Sequence, residues 1–105
     1  MKTYEYNLYN KTYKLKLKLD TYCNNNRIAV TADTADGEPF TMITVNIDDP
    51  MLNKLDLDTF NAVDTNNVPG VLEFIEKYEL GVPVGIVQSG YCSYPIVKFN
   101  LEKFK

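Results

Sequence analysis

Between Thr12 and Leu19 the chain alternates strictly, with Tyr13, Leu15, Leu17 and Leu19 on one side and Lys14, Lys16 and Lys18 on the other. A period of two puts the apolar side chains on one face of a strand and the lysines on the opposite face, which predicts a half-buried β-strand. Thr3 to Tyr9 alternates in the same way, with Tyr4, Tyr6 and Leu8 sharing a face, and Asn10 and Lys11 suit a tight connection. A hairpin of this kind has one apolar surface, and the rest of the chain must cover it.

The downstream sequence predicts more strands and one helix. After Asn24, Asn25 and Asn26, the residues Ile28, Val30 and Ala32 read as a third strand, and Asp36-Gly37 turns the chain into a fourth over Thr41 to Ile47. Phe40 and Met42 fall on one side of the fourth strand and Ile43, Val45 and Ile47 on the other, the pattern of a central or bulged strand. From Asp48 to Asp58, Pro50, Asn53 and the aspartates break every period and predict a surface loop pinned by Leu52, Leu55 and Leu57. Phe60 to Val63 reads as a short extended piece. Asn66 or Asn67 then offers an N-cap, Pro69 a first turn, and Val71, Leu72, Phe74, Ile75 and Tyr78 an apolar helical stripe that Gly81 closes. Ile86-Val87 and Ile96 to Leu101 complete the strands. The expectation is a single α+β domain over residues 1–105, a mainly antiparallel sheet of about five to six strands with one helix packed on one face.

Composition narrows the chemistry. Apolar and aromatic residues make up 45% of the chain and charged residues 24%, as in an ordinary folded domain with a real core. There is no histidine. Since imidazole is the usual general base and a common metal ligand near neutral pH, its absence argues against catalysis and against a metal site, and no cofactor is expected. Cys23 and Cys92 are too far apart for a short metal-binding pair and are expected as free thiols. Ser89 or Cys92 as a nucleophile would need a neighbouring base that the sequence does not identify. No apolar run is long enough for a signal peptide or a membrane span, which predicts a cytoplasmic protein.

Charge is unevenly placed along the chain. Residues 1–27 hold six basic and two acidic groups, whereas residues 28–79 hold two basic and eleven acidic groups, within a formal net charge of −3. Lys14, Lys16 and Lys18 are spaced about 7 Å apart along a strand, near the phosphate spacing of a single nucleic-acid strand, and Tyr9 offers a ring for stacking. Lysines facing solvent also keep a sheet soluble and blunt its edge, and this solvated-face reading is the stronger of the two, so direct nucleic-acid binding is kept only as the alternative. Asp48, Asp49, Asp56, Asp58 and Asp64 make the middle acidic, and an array of carboxylates can imitate a phosphate backbone and occupy a basic groove on another protein. Aspartate is equally favoured in turns and at helix starts.

The stretch Val63-Asp64-Thr65-Asn66-Asn67 with Pro69, then Leu80-Gly81-Val82-Pro83, then Gln88-Ser89-Gly90-Tyr91-Cys92-Ser93-Tyr94-Pro95 carries a resemblance. It resembles small uncharacterised proteins of phages, plasmids and conjugative elements that share an Asp-Thr-Asn-Asn stretch and a Ser-Gly-aromatic turn ending in Tyr-Pro. The resemblance implies no enzyme activity. Small proteins of that genetic setting include anti-CRISPR inhibitors of the Cas9 nuclease, so it also implies a host protein, Cas9 or its guide-RNA complex, as partner. Gln88, Ser89, Tyr91 and Tyr94 would gather on a turn carried by a rigid hairpin, where aromatic and amide groups make protein-contact anchors; the acidic loop at 48–64 is the first candidate for the contact and this turn the other.

Overall fold

A computed structural model describes residues 2–104 and arranges the strands in two four-stranded antiparallel sheets. The first sheet is built in chain order from β1 (Tyr4–Leu8), β2 (Lys11–Thr21), β3 (Ile28–Thr34) and β4 (Pro39–Met42). The second contains β5 (Thr44–Val45), β6 (Phe60–Val63), β7 (Gly81–Ser89) and β8 (Cys92–Phe99), in the order β5-β6-β8-β7. Helices α1 (Pro50–Asn53) and α2 (Val71–Lys77) and a closing 3-10 turn (Leu101–Phe104) complete the chain. The α+β class holds; the described residues form eight strands in two sheets where the sequence predicts one sheet of about five to six strands, and two stretches account for the difference: the predicted fourth strand, which divides between the sheets, and Phe60–Val63, expected as a short extended piece, which is a full strand of the second sheet.

The first of these is the predicted fourth strand. It splits at Ile43, whose N–H bonds the Val30 carbonyl in the first sheet while its own carbonyl accepts from Asp64 N–H next to the second. A strand that passes from one sheet to the other must bend, and here Ile43 is the bend. Thr44 Oγ1 then accepts the Val30 N–H at 3.1 Å, and the buried Asn61 amide donates to the Ile28 carbonyl at 2.7 Å. The two sheets are therefore joined by hydrogen bonds as well as by packing.

Side-chain alternation on β8 explains the two cores. Val97 and Phe99 face a large cluster containing Tyr4, Tyr6, Leu15 and Val30 of the first sheet and Val71, Phe74 and Ile75 of α2. Tyr94 and Ile96 face a smaller cluster with Ile47, Leu52, Ala62 and Val87. Tyr4, Tyr6, Phe74 and Tyr78 meet edge to face, with ring centroids 4.9–6.3 Å apart, as aromatic quadrupoles favour. Helix α2 starts at Val71 with Gly70 as its N-cap. Asn66 and Asn67 lie one turn too early for that role: Asp64 instead accepts the Asn67 N–H at 3.0 Å and closes the turn before the helix. Gly81 does not end the helix but opens β7. A Cβ there would stand 2.6 Å from Val97 Cγ1 and 2.8 Å from the Lys98 carbonyl, so only glycine allows β7 to lie this close to β8.

Leu19, expected on the core face, is exposed because β2 runs on past the core. Among the described residues no helix is long and apolar enough to cross a membrane.

Candidate functional site

The acidic segment is organised by a residue that charge counting passes over. Arg27 is fully buried at the base of the 48–58 loop, where its guanidinium donates to the carbonyls of Phe60 at 2.7 Å, Leu52 at 2.9 Å and Leu55 at 3.4 Å. Burial lowers its pKa and nearby Asp56 opposes that effect; a guanidinium stays cationic at neutral pH all the same. Leu52 and Leu55 pack into the smaller core as the sequence predicts, but Leu57 remains exposed. One signal was available in the sequence, an arginine set between three asparagines and an apolar strand, yet nothing local says that it turns inward.

Around this anchor most of the carboxylates shape turns. Asp49 accepts the Met51 N–H at 2.8 Å and caps α1, and Asp48 accepts from the Asn53 amide at 2.9 Å. Asp56 accepts the Asp58 N–H at 3.0 Å and lies 3.4 Å from the Thr59 hydroxyl. Asp64 holds Asn67 through both its backbone N–H and its side-chain amide. Asp48, Asp56 and Asp58 still present exposed carboxylates, whereas Asp49 and Asp64 are half-buried. Beside Asp48 lies a polar hollow of about 390 Å³, closed by amides that bond in sequence, Asn25 to Asn46 at 3.0 Å and Asn46 to Asn24 at 2.9 Å.

The β7–β8 hairpin places the second set. Gly90 has φ of 63° between the paired Ser89 and Cys92, the first central position of a two-residue type II′ turn. Gln88, Ser89 and Tyr91 are exposed at this tip, Tyr91 completely. Tyr94 is not part of it. Its register on β8 turns it into the smaller core, where it is 9% exposed. There the neighbouring Cys92, burial and Asp64 all raise its phenol pKa. Cys92 is half-buried and Cys23 exposed, and neither is in a disulfide.

The sequence predicts β7 only at Ile86 and Val87, because Gly81, Pro83 and Gly85 have the character of strand breakers. The strand nevertheless runs for nine residues as the edge of the second sheet, and a register shift between Pro83 and Gly85 absorbs the irregularity. None of the nine side chains is charged. Val82, Val84 and Ile86 are 63%, 51% and 66% exposed, the densest run of exposed aliphatic residues in the described chain.

The lysines occupy the outer face of the first sheet, interleaved with acids. Lys14 pairs in register with Glu5, Lys16 with Asp33, and Lys18 forms an ion pair with Asp33 at 2.7 Å that raises its own pKa. Tyr9 stands exposed on the β1–β2 turn, which is Tyr9-Asn10 and not Asn10-Lys11, with φ of 47° and 67°. Among the described residues no group of histidine, cysteine and acidic side chains is placed to hold a metal ion.

No curated protein and no solved structure matches this chain. The model of a family described as a domain of unknown function, DUF4313, matches residues 16–105, from the middle of β2 through the closing turn, and the chain belongs to that family.

Proposed function

We propose that this protein is a non-enzymatic binding module that acts by covering another protein's surface, with the β7–β8 hairpin as its contact. The observation that carries the reading is the edge strand β7, nine residues without a charge and with three aliphatic side chains more than half exposed. Edge strands are ordinarily blunted by lysine or by a covering element, and an uncharged one beside an exposed tyrosine has the composition of an interface centre. Pro83 and the register shift guard the start of the strand, which leaves Ile86, Gln88, Ser89 and Tyr91 as the accessible end.

The resemblance to proteins of mobile elements supports a host defence nuclease as the partner, Cas9 or its guide-RNA complex, met in the host cytosol. The exposed carboxylates Asp48, Asp56 and Asp58 supply charge complementary to a nucleic-acid-binding surface. The experiment is target-DNA cleavage by guide-loaded Cas9 with increasing amounts of this protein. Stoichiometric inhibition is expected, weakened about tenfold or more by Ile86→Lys or Tyr91→Ala, as for truncation of an interface anchor. Cleavage that continues unchanged overturns the nuclease reading, and equal inhibition by both variants removes the hairpin from the contact. An oligonucleotide complex at low salt that weakens when Lys14 and Lys16 are replaced would favour the strand lysines instead.

A further inference from the structure

The buried Arg27 also fixes the geometry of a second surface. The polar hollow of about 390 Å³ is lined by Asn24, Asn25, Asn46, Asp48, Asn53 and Leu57, and its volume falls within the range of small-ligand sites. Its walls come from segments distant in sequence, the turn at 24–25 and the stretch from 46 to 57. Arg27 ties them together: its backbone N–H donates to Asn25 Oδ1 at 3.0 Å, and its guanidinium holds the carbonyls of Leu52 and Leu55, which flank Asn53. The next N–H, that of Ile28, donates to the Leu57 carbonyl at 2.8 Å. Walls held from behind by such donors are preorganised for a ligand.

We infer that this hollow binds the adjacent hydroxyls of a neutral hexose, free or at the end of a glycan. The lining leaves a defined set of polar atoms unused. Bonds from Asn25 to Asn46, from Asn46 to Asn24 and from Asn53 to Asp48 orient the amides, and among the described residues the Asn24 amide nitrogen, the second carboxylate oxygen of Asp48 and the Asn53 side-chain oxygen have no protein partner. A hydroxyl both donates and accepts, so neighbouring hydroxyls can take the Asn24 N–H and give their hydrogens to Asp48 and Asn53. The exposed Leu57 offers an apolar edge to the C–H face of the ring. The same lining disfavours other ligands. An anion would meet the Asp48 carboxylate and no lining cation, a calcium ion would find one carboxylate where it prefers several, and a nucleobase would find no ring to stack on. An apolar molecule would strip water from five polar side chains.

The test is a two-dimensional ¹⁵N–¹H NMR titration of the labelled protein with glucose, galactose and mannose and with their methyl glycosides. Saturable shifts of the Asn24, Asn46 and Asn53 side-chain amides are expected with at least one sugar, with free hexoses alone if the ligand is a free sugar and with glycosides too if it is a glycan end. The fully O-methylated glycoside keeps the acceptors but has no hydroxyl to donate, and should leave the amides unmoved. Asp48→Ala and Asn24→Ala, at exposed positions, should each weaken binding about tenfold while the rest of the spectrum stays parent-like. No shift with any sugar, equal shifts with the O-methylated compound, or shifts that survive both variants overturn the inference; shifts with calcium chloride and none with sugar assign the hollow to a cation and equally overturn it. These measurements involve neither the β7–β8 hairpin nor its partner, so this inference and the proposed hairpin contact can fail independently.

Discussion

Replacing Arg27 by methionine isolates what the buried guanidinium does, because methionine retains an apolar stem of similar length and removes the donors. Two hydrogen bonds of good length are lost, to Phe60 and Leu52, and one long one to Leu55. A bond from a charged donor is worth about 1.5–3 kcal/mol, and the carbonyls left behind in a buried site find no substitute. Part of this is offset, since the variant no longer buries a cation, nor the Arg27 Nε, which has no partner. The net loss is about 2–4 kcal/mol, which for a domain of this size corresponds to a melting temperature lower by roughly 10–20 °C. Urea and thermal unfolding followed by far-ultraviolet circular dichroism measure it, and amide exchange should show residues 52–57 opening first. Arg27→Lys should recover little, because one ammonium cannot reach carbonyls on three sides. A methionine variant within about 0.5 kcal/mol of the parent would refute the claim that Arg27 holds the acidic loop to the sheets.

Gly81→Ala forces a Cβ to 2.6 Å from Val97 Cγ1 and should cost about 2–3 kcal/mol by urea denaturation, since the second obstacle is backbone and cannot move aside. Asn61→Ala removes the buried amide that donates to Ile28 and accepts from the Ala62 N–H; a loss of about 2–3 kcal/mol is expected, again from unfolding curves. Stability should also fall in alkali. The phenols of Tyr6 and Tyr22 are raised chiefly by burial, and that of Tyr94 chiefly by the neighbouring Cys92. Folded values above the unfolded tyrosine value of about 10 mean that the stabilisation is complete below that pH and is lost as pH rises through the folded values. Urea midpoints taken from neutral pH upward should drop beyond pH ~10, and Tyr22→Phe should flatten the drop.

What the sequence made legible was whatever follows from local period and turn chemistry. The first hairpin shows in its alternation, and Gly37 and Gly90 both take the positive φ that their turns require. The helix also falls where its stripe lies, though its start was placed too early because Asn67 is held by Asp64 and not by the helix. Long-range geometry was hidden. Nothing in Thr41 to Ile47 tells that Ile43 exchanges one sheet for the other, and Pro50 to Asn53 is too short a helix to carry a period. Strand β7 was foreshortened because glycine and proline weigh against a strand in general, whereas an edge position tolerates both. The candidate surface divided in the same way. Tyr91 sits at the tip as expected, but Tyr94 is buried, since a turn motif gives the order of residues and the register of β8 decides which of them face inward. The anchoring role of Arg27 depends on carbonyls from residues 52, 55 and 60, none of them near it in sequence.

The most direct test of the account is isothermal titration of guide-loaded Cas9 with the parent protein and with the Ile86→Lys/Tyr91→Ala double variant. A saturable complex for the parent, lost in a double variant that unfolds at the same urea concentration, is the predicted result. Heat of binding that is the same for both proteins, or none for either, would contradict the claim that this hairpin does its work by covering that partner.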